Sequence, residues 1–346
     1  MNTRLGALLS ILAKKRIPGL FVSSAPNISY LSGSPSRDSF LLVTQQKCIY
    51  FTDGRYYEQA RNYLKGLQVK RIANNIGDEL FNALKILGLK ELGFEEEYLS
   101  FAGYRRLESK FGKDFVLTPT RRLVEELRVI KDKYEIIKIK KAAQIAKKAL
   151  SFIEGVIKPG IKEIEVAAEL ERFIRYNGAG ASAFDIIVAT GKNSSYPHHQ
   201  TSSRVIQKGE VVLVDMGVDY CGYKSDLTRV FLSDKINTSV RKVYDIVRGA
   251  QQEALKKLRP GLEICQVDKA ARSYIQRKGL GKYFVHALGH GLGLEVHEAP
   301  GISSQAQGKI QQGMVFTIEP AVYIPHKFGI RLEEMILTNS KNCEVI

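Results

Sequence analysis

A run of twelve residues contains three of the chain's six histidines, interleaved with glycines: His286-Ala-Leu-Gly-His290-Gly-Leu-Gly-Leu-Glu-Val-His297. Glycine adds no apolar side chain and weakens a helix or strand that it interrupts, so this run is difficult to explain as core filling. Imidazoles bind metal ions and exchange protons near neutral pH, although a single histidine is as often a structural residue. The interpretation as a reactive site therefore requires acidic partners elsewhere in the chain.

Two aspartates in the middle of the chain meet this requirement. Asp215 follows the apolar run Val211-Val-Leu-Val, and Asp226 stands eleven positions later at the start of the next strand-like run. A hairpin that turns near Tyr220-Cys-Gly222 would bring the two carboxylates together. An unpaired carboxylate is unfavourable in such apolar surroundings, although each aspartate alone could be a hydrogen-bonding residue at a strand end.

Two glutamates repeat the pattern further on, where Glu319 ends the run Val315-Phe-Thr-Ile and Glu333 precedes Met335-Ile-Leu. Four carboxylates with one imidazole carry four negative charges, which matches two divalent ions that share bridging oxygens. Oxygen-rich ligands with a single histidine favour Mn, Co, Fe or Zn over metals bound by thiolates. Two such ions can hold a bridging water as hydroxide and polarise a carbonyl, so these residues predict metal-assisted hydrolysis.

The bulk composition predicts a globular protein with room for two domains: 346 residues, 44% hydrophobic and 25% charged. Lys and Arg number 52 against 36 Asp and Glu, an excess that is compatible with an acidic partner. The densest basic segment, residues 128–148, alternates lysines with isoleucines, which is typical of the solvated face of an amphipathic helix. We therefore expect no nucleic-acid partner.

The cysteines and the apolar runs bear on the cellular compartment. The four cysteines are scattered without a Cys-x-x-Cys pair, so we expect free thiols in a reducing compartment. The apolar run at residues 5–13 lacks the marks of a secretory signal and predicts an amphipathic helix. No run approaches the roughly 20 apolar residues that span a bilayer, so we expect a cytoplasmic protein without a membrane partner.

The first part of the chain, to about residue 120, alternates helical and strand-like patterns, which predicts an α/β domain with a mixed sheet. Thr118-Pro-Thr120 interrupts the alternation and is the predicted linker, so we predict one domain at 1–122 and a second at 123–346. The patterns predict helices at 5–15 and 55–64 and strands at 19–23, 40–44 and 48–52, and the segments 78–87, 91–95 and 101–111 continue the alternation.

The second part predicts longer helices. They lie at 125–156, in two pieces, and at 164–177, 240–257 and 265–278, and strands are predicted at 184–190, 211–218, 228–232, 314–318 and 329–337. Lys158-Pro-Gly160 and Arg259-Pro-Gly261 each follow one helix and precede another. The match indicates either an internal duplication or a chance agreement of two tripeptides.

Together these motifs resemble those of the Xaa-Pro peptidases, the aminopeptidase P and prolidase group within the "pita-bread" metallopeptidases. The run from His286 to Glu298 is similar to that group's signature, with Ala287 where glycine or another small or polar residue is usual. Residues 27–33 and 52–60 are similar to segments of the group's non-catalytic domain. The resemblance implies an α/β (α+β) fold: an N-terminal mixed α/β creatinase-like domain, then a C-terminal pita-bread domain with a curved antiparallel sheet flanked by helices.

The resemblance also implies a role for each reactive residue. Two divalent ions, Mn²⁺ in the first place with Co²⁺, Zn²⁺ or Fe²⁺ as alternatives, would be held by Asp215, Asp226, His290, Glu319 and Glu333, of which Asp226 and Glu333 bridge. His286 and His297 would flank the substrate, and Glu319 would also carry protons beside the attacking hydroxide. The substrate side would be completed by Tyr323, Arg331 and His198, with the adjacent His199 as the alternative to His198.

The implied reaction is hydrolysis of the bond between an N-terminal residue and a following proline, carried out by a homodimer. That bond is a tertiary amide, so a protease that pairs with the N–H of an extended substrate cannot use it. A methionine aminopeptidase shares the five ligands but has glutamine at the position of Arg331 and no such N-terminal domain, whereas creatinase-like hydrolases share the fold without the metal. A catalytically inactive binding protein on the same fold is the alternative of a different class. The motifs leave open whether the substrates are dipeptides or longer peptides.

Overall fold

The computed structural model describes residues 3–232 and 236–346. Contacts divide the chain into two compact units, Met1–Arg128 and Val129–Ile346. Within the described part of the chain, no helix is both long and apolar enough to cross a membrane. The four cysteines are free thiols, as expected from their spacing.

The first unit is a mixed sheet with helices, which confirms the predicted α/β character. Its strands are β1 (Gly19–Val22), β2 (Ser39–Thr44), β3 (Cys48–Thr52), β4 (Gln68–Arg71), β5 (Glu91–Glu95) and β6 (Val116–Thr120), and its helices are α1 (Thr3–Lys15), α2 (Ala25–Ser32), α3 (Tyr57–Tyr63), α4 (Ile76–Leu87), α5 (Phe101–Phe111) and α6 (Leu123–Arg128). The strand order is β4-β3-β2-β1-β5-β6. β1 pairs antiparallel with β2 and parallel with β5, and Phe21 and Leu92 of these strands pack in the core with Leu80 of α4.

The prediction of a linker at Thr118-Pro-Thr120 was wrong, because these residues belong to β6. β6 is an edge strand that pairs parallel with β5 alone, with Pro119 opposite Phe94. Proline lacks the N–H that a second neighbouring strand would need, and an edge position removes that need. The strand continues to Thr120, whose hydroxyl donates to the Phe94 carbonyl oxygen at 2.8 Å.

The division between the units falls after Arg128, later in the chain than the predicted boundary at 122/123. Helix α6 explains the difference, because its polar groups bond to the first unit. The Tyr30 hydroxyl donates to the Leu127 carbonyl oxygen at 3.2 Å, and Arg128 Nη1 donates to Asn27 Oδ1 at 2.7 Å. These contacts are made by side chains about 100 residues away in the chain, which local sequence patterns do not register.

The second unit contains the long helices and the antiparallel sheets. Its helices are α7 (Lys133–Glu154), α8 (Glu163–Tyr176), α9 (Thr238–Lys257) and α10 (Ile264–Arg277), and its strands are β7 (Ala181–Ser182), β8 (Ile187–Thr190), β9 (Val211–Met216), β10 (Val218–Tyr220), β11 (Tyr223–Lys224), β12 (Leu227–Leu232), β13 (Gly289–Gly291), β14 (Glu298–Ile302), β15 (Val315–Ile318), β16 (Ala321–Ile324), β17 (Phe328–Arg331), β18 (Glu334–Thr338) and β19 (Cys343–Val345). The main sheets have the orders β12-β9-β8 and β14-β13-β15-β18-β19, and neighbouring strands within each of them are antiparallel.

Two hydrophobic clusters bury these sheets against the helices. One contains residues of α7 and α8 together with Val214 and Met216 of β9. The other contains residues of α9 and α10 together with Phe316 and Ile318 of β15. The predicted sheet flanked by helices is therefore confirmed, and each pair of helices supports one of the strands that lead into the acidic residues.

The local structure after the two Lys/Arg-Pro-Gly tripeptides is the same in both places, so the two matching tripeptides also share a backbone conformation. Gly160 N donates to Ile206 O at 3.0 Å, and Gly261 N donates to Ile310 O at 2.8 Å. The reverse bonds, to the residue after each glycine, are both 2.9 Å long. Gly160 and Gly261 have φ of 97° and 83°, a region that residues with a side chain rarely occupy.

Two predicted strands are interrupted at residues that matter for the site. The strand predicted at 211–218 is divided into β9 and β10 at Gly217, and the strand predicted at 329–337 is divided into β17 and β18 at Leu332 and Glu333. The apolar pattern is interrupted at both points, by Gly217 in the first strand and by the adjacent glutamates Glu333 and Glu334 in the second.

Candidate metal centre and active site

The first acidic pair lies on the β9–β12 hairpin, as the spacing predicts. The strands pair antiparallel with Met216 opposite Leu227 and Asp215 opposite Thr228, which places Asp226 beside Gly217. Both carboxylates are buried, with 9% and 6% of the residue surface exposed for Asp215 and Asp226. The hairpin thus brings two carboxylates into an apolar layer.

The second acidic pair lies at the end of β15 and just before β18. Ile318 is opposite Glu334, so Glu319 and Glu333 flank the last ladder position. Glu333 is 1% exposed, and its Oε2 accepts from Thr228 Oγ1 at 2.8 Å. This bond joins the second pair to the β9–β12 hairpin.

His290 lies on β13 and faces both pairs. Its Nε2 is 3.6 Å from Asp226 Oδ2 and 3.3 Å from Glu319 Oε1. Its Nδ1 is 3.1 Å from the Gly291 carbonyl oxygen, and because a carbonyl only accepts, Nδ1 carries a proton. Nε2 is the nitrogen that faces the carboxylates, and it would bind a cation after giving up its own proton. A Cβ on Gly289 or Gly291 would overlap the carbonyl oxygens of Thr317 or Ala299, which explains the glycines around this histidine.

The electrostatics of this acidic cluster are those of a cation site. Burial, and then the charges of Glu333, Asp215 and Glu319, raise the pKa of Asp226 well above its usual value. Burial, and then the charges of Glu319 and Asp215, also raise the pKa of Glu333 well above its usual value. Asp215 Oδ1 and Glu333 Oε1 are buried and have no hydrogen-bond partner among the residues that the structure describes. Bound cations would satisfy these oxygens and offset the repulsion between the carboxylates, so the residues fit divalent ions.

Donor atoms of Asp226, His290 and Glu333 lie within 4.8 Å of one another, which is the spacing of ligands around one ion. Glu319 contacts the same imidazole. Burial opposes ionisation of Glu319, but the hydrogen bond and charge of His290 lower its pKa. For His290, burial favours the neutral ring, whereas Glu319 raises the pKa above its usual value. The two groups therefore stabilise each other's charge in the absence of a metal.

Arg331 is the buried cation beside the cluster. Its Nη2 donates to Asp215 Oδ2 at 2.6 Å, its Nε to Thr228 Oγ1 at 3.1 Å, and its Nη1 to the Tyr323 hydroxyl at 2.5 Å and the Pro197 carbonyl oxygen at 3.2 Å. Burial raises the pKa of Tyr323 to about 12, with help from the Glu319 and Asp215 carboxylates and against the effect of Arg331, so its hydroxyl keeps its proton. Arg331 thus connects a metal-ligand candidate to the segment that carries His198.

His286, His297 and His198 lie around the cluster rather than within the acidic layer. His286 Nε2 is 3.1 Å from the Tyr323 hydroxyl, and the His297 ring is centred 4.2 Å from that of His290. Burial lowers the pKa of His286, and burial, His290 and His198 together lower that of His297. His286 and His297 are therefore neutral at neutral pH, able to donate or accept a proton.

His198 and His199, the two alternatives for the substrate side, differ in their surroundings. His199 Nε2 is 2.9 Å from Glu163 Oε2, which turns that ring away from solvent, whereas His198 is exposed. His198 also acts electrostatically on His297. His198 is accordingly the member of the pair that is available to a substrate.

Two threonines belong to the site and were not identified from the sequence. Thr228 bonds to both Glu333 and Arg331, and Thr317 Oγ1 accepts from His290 N at 3.1 Å and donates to Glu319 Oε1 at 3.3 Å. The period of two in a strand puts Thr317 on the same side as Glu319 and Thr228 on the same side as Asp226, which is the signal that could have identified them.

Comparisons with known proteins agree with this geometry. The profile of metallopeptidase family M24 matches residues 137–340, and that of the creatinase/prolidase N-terminal domain matches residues 4–130. A Xaa-Pro dipeptidase of Pyrococcus horikoshii is 36% identical over 339 residues, covering 97% of this chain and 94% of the relative.

Solved structures give the same result. A Xaa-Pro dipeptidase from Bacillus anthracis is 38% identical with a TM-score of 0.95, covering 99% of this chain and 96% of that one. The X-Pro aminopeptidase from Thermotoga maritima is 35% identical with a TM-score of 0.88, covering 96% of each chain. The resemblance inferred from the motifs is thereby confirmed: the chain belongs to metallopeptidase family M24 and carries the creatinase/prolidase N-terminal domain.

Proposed function

We propose that this metallopeptidase hydrolyses the bond between an N-terminal residue and a following proline, as a Xaa-Pro dipeptidase or Xaa-Pro aminopeptidase. The observation that carries the proposal is the buried cluster of four carboxylates and one imidazole with two unpartnered carboxylate oxygens. The names of the relatives, Xaa-Pro dipeptidase and X-Pro aminopeptidase, support the choice of bond.

Two divalent ions would be held by Asp215, Asp226, His290, Glu319 and Glu333, with Asp226 and Glu333 shared between them. When bound, the ions supply Lewis-acid activation of a water and of the peptide carbonyl. Mn²⁺ is the first choice, and Co²⁺, Zn²⁺ and Fe²⁺ suit the same oxygen-rich ligands.

The protein groups around this cluster have separate tasks. Glu319 accepts the proton released from the water and passes it to the leaving nitrogen. His286 and His297 are neutral at neutral pH and flank the substrate. His297 donates a hydrogen bond to the carbonyl oxygen as negative charge develops on it, whereas the proton of neutral His286 lies on Nδ1, 2.7 Å from the Ala287 carbonyl oxygen, so His286 orders the site through the Tyr323 hydroxyl. Arg331 and Tyr323 hold the substrate side of the site together, and His198 lies toward the substrate.

Metal analysis and peptide cleavage test this proposal together. The purified protein should bind two equivalents of Mn, Co, Fe or Zn and cleave a Leu-Pro dipeptide, and chelation should abolish both. Cleavage of Leu-Pro compared with Leu-Pro-Gly and a pentapeptide carrying proline second distinguishes a dipeptidase from an aminopeptidase. Preference for Met-Ala-Ser over every proline peptide would replace the proposal with a methionine aminopeptidase. Absence of metal, with no effect of Asp226→Asn, would leave only an inactive binding protein.

Two further expectations carry over from the resemblance. We propose a homodimer, which light scattering of the purified protein tests. We also propose a cytoplasmic location, for which the free thiols are the support, because a reducing compartment keeps cysteines unpaired. Fractionation of cells that express the protein tests the location.

A further inference from the structure

A second buried carboxylate centre lies outside the metal-ligand cluster, at the first residue of α8. Glu163 is fully buried, and its carboxylate accepts hydrogen bonds from four different residues. Oε1 accepts from Thr190 N at 2.8 Å and Asn193 Nδ2 at 2.9 Å. Oε2 accepts from His199 Nε2 at 2.9 Å and from Ser202 N and Oγ at 3.1 and 2.6 Å.

This arrangement keeps Glu163 ionised in spite of its burial. Burial alone would raise its pKa, but the hydrogen bonds from Ser202, His199, Thr190 and Asn193 outweigh it and lower the pKa below the usual value. Every one of these contacts is a donor to the carboxylate. An amide in its place would direct an NH₂ group at donors, so even the isosteric glutamine cannot reproduce the network.

The Glu163 network holds one end of a short segment that carries His198, and Arg331 holds the other end. We call residues 196–199 the His198 turn; it is closed by the bond from His199 N to Tyr196 O at 3.2 Å. Arg331 holds this turn at the Pro197 carbonyl oxygen, and Glu163 holds it at the His199 ring. His198 is the residue between these two anchors.

We propose that Glu163 is a positioning residue that, together with Arg331, holds His198 in place beside His297 for the reaction. The proposal rests on the proposed function, since it requires that His198 act on the substrate. Glu163 itself contacts neither the acidic cluster nor the exposed face of the turn. The contribution assigned to it here acts through the position of His198, and this dependence can be measured.

A double-mutant cycle tests the dependence. Glu163→Gln should lower kcat/KM for Leu-Pro by on the order of ten- to hundred-fold, the range for groups that orient functional residues. The same substitution made in a His198→Ala protein should have little further effect, because the residue it positions is gone. Both proteins should still bind two Mn²⁺ equivalents. If Glu163→Gln lowers kcat/KM by the same factor with and without His198, the inference is wrong.

Glu135→Gln is the matched control for the loss of a buried carboxylate in the same unit. Glu135 is 3% exposed, and its carboxylate accepts from Asp132 N at 3.0 Å and the Tyr223 hydroxyl at 3.2 Å, away from the His198 turn. The Glu135→Gln substitution should lower thermal stability while changing kcat/KM less than about twofold. Should Glu163→Gln fail to fold, His199→Gln, at a less buried position, replaces it in the same cycle.

Hydrogen exchange measured by mass spectrometry separates this inference from the proposed function. Peptides that cover residues 187–204 should exchange faster in Glu163→Gln than in wild type or Glu135→Gln, because the amide keeps only one of the two oxygens and Thr190 N or Ser202 N therefore loses its acceptor. Unchanged exchange there overturns the anchoring role even in an active enzyme. If wild type cleaves no proline peptide, the proposed function fails, and this exchange measurement still decides whether Glu163 holds the turn.

Discussion

Asp226→Asn should make the metal-free protein more stable and the metal-loaded protein less stable than wild type. The side-chain oxygens of Asp226 and Glu333 lie within 4.8 Å of each other, where two unit charges repel by about 3 kcal/mol at an effective dielectric constant of about 20. Protonating one aspartate at neutral pH to avoid this repulsion would cost roughly 4 kcal/mol. Because burial and three carboxylates oppose the charge of Asp226, the metal-free wild type has either the repulsion or the cost of protonation, and asparagine avoids both.

Asparagine removes the charge and keeps the shape. It remains a buried polar group, so the expected gain for the metal-free protein is about 1–3 kcal/mol. For a unit of this size that corresponds to a rise in Tm of about 2–4 °C per kcal/mol. With Mn²⁺ present, wild type should be more stable than the variant. An ion at 100 times its Kd stabilises wild type by about 2.7 kcal/mol, and the variant lacks one of the proposed ligands.

Calorimetry of chelator-treated and Mn²⁺-loaded samples at neutral pH measures both halves of this prediction. Asp219→Asn is the control. Asp219 lies on β10 of the same hairpin, but it forms an ion pair with Lys224 away from the cluster. It should shift Tm in the same direction in both conditions. A metal-free Asp226→Asn protein that melts below metal-free wild type would refute the reasoning that the carboxylates repel one another without metal.

Three other predictions address individual side chains. His290→Ala should lower metal occupancy measured by elemental analysis, whereas His297→Ala should keep both ions and lose mainly kcat; equal metal loss in both would overturn the assignment. Arg331→Leu, which leaves the buried carboxylate of Asp215 unpaired, should lower the free energy of unfolding in urea by about 3–5 kcal/mol; an unchanged value would show that the ion pair is dispensable. Glu163 has a lowered pKa in the folded protein, so its stabilising effect is present above the unfolded pKa of about 4.3 and disappears as pH falls through the folded value. The difference in unfolding free energy between wild type and Glu163→Gln should therefore shrink on acidification, and a difference independent of pH would contradict the role of its charge.

The β9–β12 hairpin shows what the sequence can determine. Apolar alternation, a glycine-containing turn and two aspartates eleven positions apart are local features, and they are sufficient to predict which strands pair and which side chains meet. The same local reasoning identified Glu319 and Glu333, because a carboxylate beside an apolar strand requires a partner. Their mutual approach in the structure follows from that requirement.

The features that were missed depend on contacts far apart in the chain. His198 and His199 are adjacent and chemically identical, and what distinguishes them is Glu163, 36 residues before His199. Thr118–Thr120 resembles a linker because of its proline, and only its place at the edge of the sheet makes it a strand. In both cases the deciding partner comes from another element, so no window of sequence contains the answer.

The similar helix-helix-strand arrangement of the two halves of the second unit has a consequence for its stability. The first half supplies the two candidate aspartates and the second supplies the candidate histidine and two glutamates, so neither half contains the complete proposed set of ligands. Ions held by this set would act as a crosslink between the halves, and their binding energy would be available only after both halves have folded and docked. Chelation would then remove this crosslink, while each half keeps its own hydrophobic cluster.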